Sequence, residues 1–177
     1  NFEGYGLWGL DKKGKSVSFE IQLRNFIKED KWDDFSKQYK FFDIASFKKL
    51  KNEFESLIEF IPKERYFLHG DFDRTNIFAN NNKIEGVIDW SEAMYGDFLL
   101  DLSWLAFWED RVDLINEYFN FNKDSKTLNM EYFKERARLY TIFSVLNNLI
   151  FEVQRGREHF YNDVVQTAKK KLKNLSW

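Results

Sequence analysis

Residues 69–97 read HGDFDRTNIFANNNKIEGVIDWSEAMYGD, a polar run set among short apolar stretches. Three strand signals frame it: Tyr66–Leu68, Asn76–Ala79 and Ile84–Asp89. Asn80, Asn81 and Asn82 tolerate left-handed backbone conformations, so they read as the turn of a hairpin. That hairpin brings Asn76 and Asp89 close together at its open end. Outward from this insert the pattern becomes helical. A helix over Ser18–Asp30 places Phe19, Leu23, Phe26 and Ile27 inward. A clearer one over Ser46–Ile61 carries Phe47, Leu50, Phe54, Leu57, Ile58 and Ile61 at helical spacing and stops at Pro62, the single proline. Beyond the insert the spacing predicts helices over Leu99–Trp108, Val112–Phe121, Met130–Gln154 and Glu158–Leu175, with Gly156 as a break. The expected fold class is mainly α with a small β insert.

The 177 residues are 44% hydrophobic and 19% aromatic, enough for one sizeable core. There is no cysteine, which removes disulfides and thiolate metal sites and favours the cytoplasm. No apolar run approaches the ~20 residues of a membrane span, and the N-terminus lacks the order of a signal peptide. The net charge of −2 gives no general attraction to nucleic acid or to an anionic membrane. Neither is expected as a partner. Its distribution is uneven: Asp71, Asp73, Glu85, Asp89, Glu92, Asp97 and Asp101 face only Arg74 and Lys83 in the same stretch. A negative basin is expected there, suited to metal cations and a cationic ligand. The basic KKKLKN near the C-terminus reads as a solvated helix face. The opening NFEGYGLWGL lacks an initiator methionine, which suggests processing or a fragment. Its Gly4, Gly6 and Gly9 spell G-x-G-x-x-G, but with no preceding strand or following helix the match reads as an aromatic-rich loop.

Phosphoryl transfer to a hydroxyl needs an acceptor for the hydroxyl proton, cations on the nucleotide phosphates, and groups that hold the two substrates in line. Asp71 is the candidate base. Asn76, five residues on, and Asp89, at the end of the next strand, are candidate Mg²⁺ ligands, since hard oxygens suit that ion and leave positions for phosphate and water. Taken singly, each of the three has an ordinary explanation as a turn or capping residue. Together they favour chemistry. A calcium loop starting at Asp71 fails at its sixth position, Asn76 instead of glycine, and at its twelfth, Asn82 instead of glutamate. A zinc site at His69 fails because the other histidine, His159, lies on a distant amphipathic helix. Asp73, Arg74 and Glu92 are candidate contacts to substrate or phosphate, each with solvation as the competing reading. Asp97 and Asp101 stand four apart. Asp97 is expected before the helix and Asp101 within it, bonded to the backbone of the candidate catalytic loop. The aromatics downstream, Trp104 and Trp108 among them, read as core or pocket wall.

The conjunction of HGDxxxxN with IDWxxAxxGDxxxDL resembles the aminoglycoside phosphotransferase family, and GVIDWSEAMYGDFLLDLSW is most similar to its hygromycin phosphotransferase branch. The resemblance is close over about residues 65–108 and looser to either side. GYGLWGLDKKGK also looks like the stretch after the interlobe connection in hygromycin-type enzymes. It implies the helical C-lobe of a protein-kinase-like fold with the N-lobe, its phosphate-covering loop and its ATP-pairing lysine absent. It also implies that His69, Asp97 and Asp101 support the loop. The implied layout is a single C-lobe-like domain: 1–17 a lead-in loop, 18–62 helices, 65–97 the catalytic loop and hairpin, 98–177 a helical subdomain. The implied function is ATP-dependent phosphorylation of a hydroxyl on a small, cationic, aminoglycoside-like molecule, with Mg²⁺ and ATP or another nucleoside triphosphate. The implied partners are that hydroxyl acceptor, the nucleotide and a missing N-lobe, so the isolated chain is expected to be inactive. Two alternatives stay open: a non-catalytic C-lobe module binding a cationic ligand or partner, and a kinase of another small hydroxylated metabolite. Metal-dependent phosphoester hydrolysis ranks last, because it usually needs a denser cluster of His and Asp ligands.

Overall fold

The computed structural model describes residues 3–28 and 32–174. A helical body carries a four-stranded antiparallel sheet and a separate two-stranded hairpin. Strands β1 (Tyr5–Trp8) and β2 (Gly14–Ser16) lead into helices α1 (Phe19–Phe26), α2 (Trp32–Gln38) and α3 (Ile44–Leu57). Strand β3 (Tyr66–Leu68), hairpin strands β4 (Ile77–Asn80) and β5 (Lys83–Val87), and β6 (Met94–Gly96) follow. Helices α4 (Leu99–Trp108), α5 (Leu114–Asn122), α6 (Phe133–Gln154) and α7 (Glu158–Asn174) complete the chain.

Within the expected lead-in loop of residues 1–17, the described part forms two strands. The aromatic-rich opening is strand β1, paired with β2 on one side and β6 on the other, in the order β2-β1-β6-β3. Glycine spacing hid this. Gly4 and Gly6 take φ of +77° and +71°, and a Cβ on Gly4 would stand 2.1 Å from the Gly14 carbonyl oxygen. The glycines therefore permit a bulged, close pairing rather than a phosphate loop. Strand β6 went unforeseen because three residues give no readable alternation. It is nonetheless buried throughout, and it connects β1 to β3. Helix α2 was also unforeseen. It is seven residues long and buries only Trp32, whose ring packs against Phe35, Phe42 and Phe47.

Ser18 caps α1 by accepting from the Ile21 N–H at 3.3 Å, and Phe19, Leu23 and Ile27 are buried as expected. The expected end of that helix at Asp30 lies outside the described residues, as does Leu175 at the end of the last helix. Helix α3 begins two residues earlier than expected, because Asp43 accepts from the Ser46 N–H at 3.0 Å. It closes in a 3-10 turn over Ile58–Phe60 before Pro62. Asn81 and Asn82 take φ of +47° and +60° in a two-residue turn between the paired Asn80 and Lys83, as the asparagine run predicts.

Helix α6 is buried around most of its circumference, so it is a central post rather than a surface helix. Helices α3, α4 and α7 pack around it. The buried residues form one continuous core running from Phe19 to Ala168. Among the described residues, no helix is long and apolar enough to cross a membrane.

Candidate active site

Strand β3 delivers His69, Gly70 and Asp71 to one edge of the helical body, and helix α4 receives them. The Asp101 carboxylate accepts the His69 N–H at 2.7 Å and the Gly70 N–H at 2.9 Å. Burial pushes the Asp101 carboxyl above the ordinary carboxylate range, while those two N–H groups pull it back. Asp101 thus bonds the backbone of the loop that bears Asp71.

His69 is 2% exposed. Its Nε2 lies 2.8 Å from the Ile88 carbonyl, and its Nδ1 accepts the Asp71 N–H at 3.3 Å. A neutral ring protonated on Nε2 satisfies both bonds. The imidazole therefore ties the loop bearing Asp71 to the residue preceding Asp89, and it leans on the Trp90 ring with centroids 4.7 Å apart.

Gly70 has φ +84°. A Cβ there would stand 2.0 Å from the Glu92 carbonyl oxygen, so only glycine fits without moving backbone. Gly70→Ala is expected to cost at least ~2 kcal/mol, from the left-handed φ and the collision together. A urea midpoint equal to the parent's would refute this.

Asn76 ends a 3-10 turn, Arg74–Asn76, and directs its amide nitrogen at the Asp71 carbonyl, 2.9 Å away, with a longer 3.4 Å approach to Asp71 Oδ2. That leaves its side-chain oxygen to accept a hydrogen bond or face a cation. The Asn76 carbonyl accepts the Ile88 N–H at 3.0 Å, so the open end of the hairpin holds Asn76 beside the segment leading to Asp89. Asp89 itself has φ +61° and accepts the Ser91 hydroxyl on Oδ1 at 2.9 Å. An amide oxygen and a carboxylate are hard donors that fit Mg²⁺, which usually keeps several positions for phosphate and water. Among the described residues there is no cluster of three or more His, Cys, Asp or Glu able to hold a metal ion.

Two readings from the sequence change here. Among the described residues, Asp97 bonds α6 and its own helix start rather than the loop. It is 1% exposed and bonds Arg136 of α6, with Nε at 2.7 Å and Nη2 at 2.5 Å. The acidic basin is also narrower than the count of carboxylates suggests. Asp97 is neutralised by Arg136, Asp101 is held by backbone N–H groups, and Glu85 accepts from Asn80 at 3.1 Å. Asp73 caps the 3-10 turn by accepting the Thr75 N–H and hydroxyl, both at 2.8 Å. Hydrogen bonds from neutral donors do not cancel charge, so of these contacts it is the Arg136 pair that narrows the basin.

A pocket of about 420 Å³ opens beside Asp71, lined also by Glu92, Trp104, Asn147, Asn148 and Phe151. Of the three candidate contacts Asp73, Arg74 and Glu92, only Glu92 lines it. Arg74 is exposed and acts electrostatically on Glu109, whose carboxyl is held down at about 2 chiefly by hydrogen bonds from Arg111. Sequence reasoning passed over Trp104 as a site residue. Its indole N–H donates to Asp71 Oδ1 at 2.9 Å. The available signal was its position, one turn after Asp101 on the same helical face.

Comparison with known proteins matches residues 19–131 to the family model described as the phosphotransferase enzyme family, APH. Hygromycin-B 4-O-kinase of Escherichia coli is 43% identical over 47 residues, which are 27% of this chain and 14% of that protein. Among solved structures, a thermostable mutant of aminoglycoside phosphotransferase APH(4)-Ia in ternary complex with AMP-PNP and hygromycin B superposes with a TM-score of 0.74 at 22% identity, covering 99% of this chain and 58% of that one. A ternary complex of that enzyme with ADP and hygromycin B gives 0.75 at 21%, covering 99% and 59%. The fold is shared. The chain spans less than two thirds of the length of these relatives.

Proposed function

Since the chain belongs to the phosphotransferase enzyme family, APH, we propose that it is the helical lobe of an ATP-dependent kinase that phosphorylates a hydroxyl on a small cationic molecule of aminoglycoside type. Residues 1–177 are one C-lobe unit in this reading. The observation that supports it is the hydrogen-bonded set at the open end of the hairpin: Asn76 bonds the Asp71 carbonyl and the Ile88 N–H, and His69 links the Asp71 N–H to the Ile88 carbonyl, next in sequence to Asp89. Asp71 orients the acceptor hydroxyl and takes its proton as the hydroxyl oxygen bonds to the γ-phosphorus and the bond to the departing diphosphate breaks. Asn76 and Asp89 would hold Mg²⁺, which when bound neutralises phosphate charge. Glu92, on the pocket wall, attracts the cationic acceptor, and Asn147 and Asn148 offer it hydrogen bonds. The relatives' complexes with AMP-PNP, ADP and hygromycin B support a nucleotide and a small-molecule acceptor.

A nucleotide-holding N-lobe completes the enzyme in this reading, and the isolated lobe transfers phosphate slowly or not at all. Trp8, Phe67 and Trp90 form an exposed aromatic strip beside the site, with Phe67 and Trp90 stacked at 5.8 Å, and they offer that lobe an apolar seat.

The test is Mg²⁺-dependent ATP consumption by the complete product of the gene encoding this chain, against a panel of hydroxylated amines. Consumption is expected to depend on both the amine and Mg²⁺. Asp89→Ala is expected to weaken the Mg²⁺ dependence and cut turnover at least ~10-fold, as loss of a charged ligand to a catalytic cation should. Parental turnover in Asp89→Ala, or ATP consumption indifferent to every amine, would sink the proposal.

A further inference from the structure

We propose that Trp104 is the positioning residue for the Asp71 carboxylate, a role that rests on the kinase reading above. The two free rotations of an aspartate side chain leave its carboxylate broad in orientation about the last bond. In this chain one oxygen is fixed: Oδ1 accepts the Trp104 indole N–H at 2.9 Å. The other, Oδ2, has among the described residues the long 3.4 Å approach of the Asn76 amide. Fixing Oδ1 therefore determines where Oδ2 stands to meet a hydroxyl.

The donor is well chosen for this. An indole N–H donates only and does not titrate, so the bond holds without competing for the proton that Asp71 is to accept. Trp104 is half-buried on α4, three residues after Asp101, so both side chains leave the same face of the helix. Asp101 grips the backbone N–H groups of His69 and Gly70, and Trp104 grips the side chain of Asp71. One helix face thus holds three consecutive residues, backbone and carboxylate alike. The indole also walls the pocket with Phe26, Phe143 and Phe151, so its position couples the pocket to the carboxylate.

Trp104→Phe keeps an aromatic wall and removes the donor. In the complete gene product its kcat is expected to fall roughly 10- to 100-fold, the scale of an ångström of misplacement. The KM for acceptor and nucleotide is expected to stay within about 2-fold, because ground-state contacts persist. A wall residue with no link to Asp71 would instead raise KM. A second measurement needs no turnover. In ¹⁵N–¹H spectra of the 177-residue chain, the Trp104 indole signal is the one of six that Trp104→Phe removes. It is expected to move upfield in Asp71→Ala while the other five hold. Parental kcat in Trp104→Phe, or an indole signal unmoved by Asp71→Ala, overturns the positioning role and leaves the kinase reading standing. Parental transfer by Asp71→Ala overturns both.

Discussion

Asp71→Asn is expected to abolish most phosphoryl transfer while leaving the fold intact. The loss expected for removing a general base is ~10²- to 10⁴-fold in kcat. An amide cannot take the hydroxyl proton, yet its oxygen can still accept the Trp104 indole and the shape is nearly conserved. Stability should not fall. Asp71 and Asp101 repel one another, and that repulsion is one of the forces raising the Asp101 carboxyl. Removing the charge from Asp71 relieves it, so the melting temperature of Asp71→Asn should equal or exceed the parent's, the usual cost of activity reversed. Steady-state kinetics of the complete gene product and a thermal melt of the chain check the two halves. A variant within 10-fold of parental kcat would remove Asp71 from the chemistry.

Arg136→Met should give the largest loss of stability. Four donor contacts of the guanidinium are satisfied inside the protein: two on Asp97, one on the Asn129 carbonyl at 2.7 Å and one on the Glu131 carbonyl at 2.9 Å. Both side chains of the ion pair are at most 1% exposed. Removing one partner leaves Asp97 charged, dry and unpaired, which costs about 3–5 kcal/mol, a large part of the ~5–15 kcal/mol that holds a domain together. The double variant Asp97→Leu, Arg136→Met should recover much of this, since a buried pair often adds little over an apolar one. Urea unfolding checks both. A single variant losing under ~1 kcal/mol would show that water reaches Asp97.

How much of this was legible in the chain depended on how local the signal was. The Ser46–Ile61 periodicity, the asparagine turn and the four C-terminal helices are each written over a few consecutive residues, and they stand within a few residues of where they were expected. Strands β1, β2 and β6 are not local signals. Each is three or four residues long and exists only through its partners, so GYGLW read as a loop. The same division runs through the site. The spacing of Asp71, Asn76 and Asp89 made them candidates, and the hairpin that sets Asn76 beside Ile88 is a local signal. Asp97 was misplaced because its partner lies 39 residues away on α6. Trp104 was passed over because the bond to Asp71 spans 33 residues.

The sequence by itself determined the family motif, the helical class and the candidate base and metal ligands, since these depend on residue type and short spacing. Only the tertiary structure decided which partners these carboxylates take. Seven acids crowd residues 71–101, and their charge is set less by number than by partners drawn from elsewhere in the chain. Arg136 from α6 neutralises Asp97, and the N–H groups after β3 engage Asp101. Electrostatic character follows desolvation and pairing, and both are properties of packed elements rather than of a run of residues.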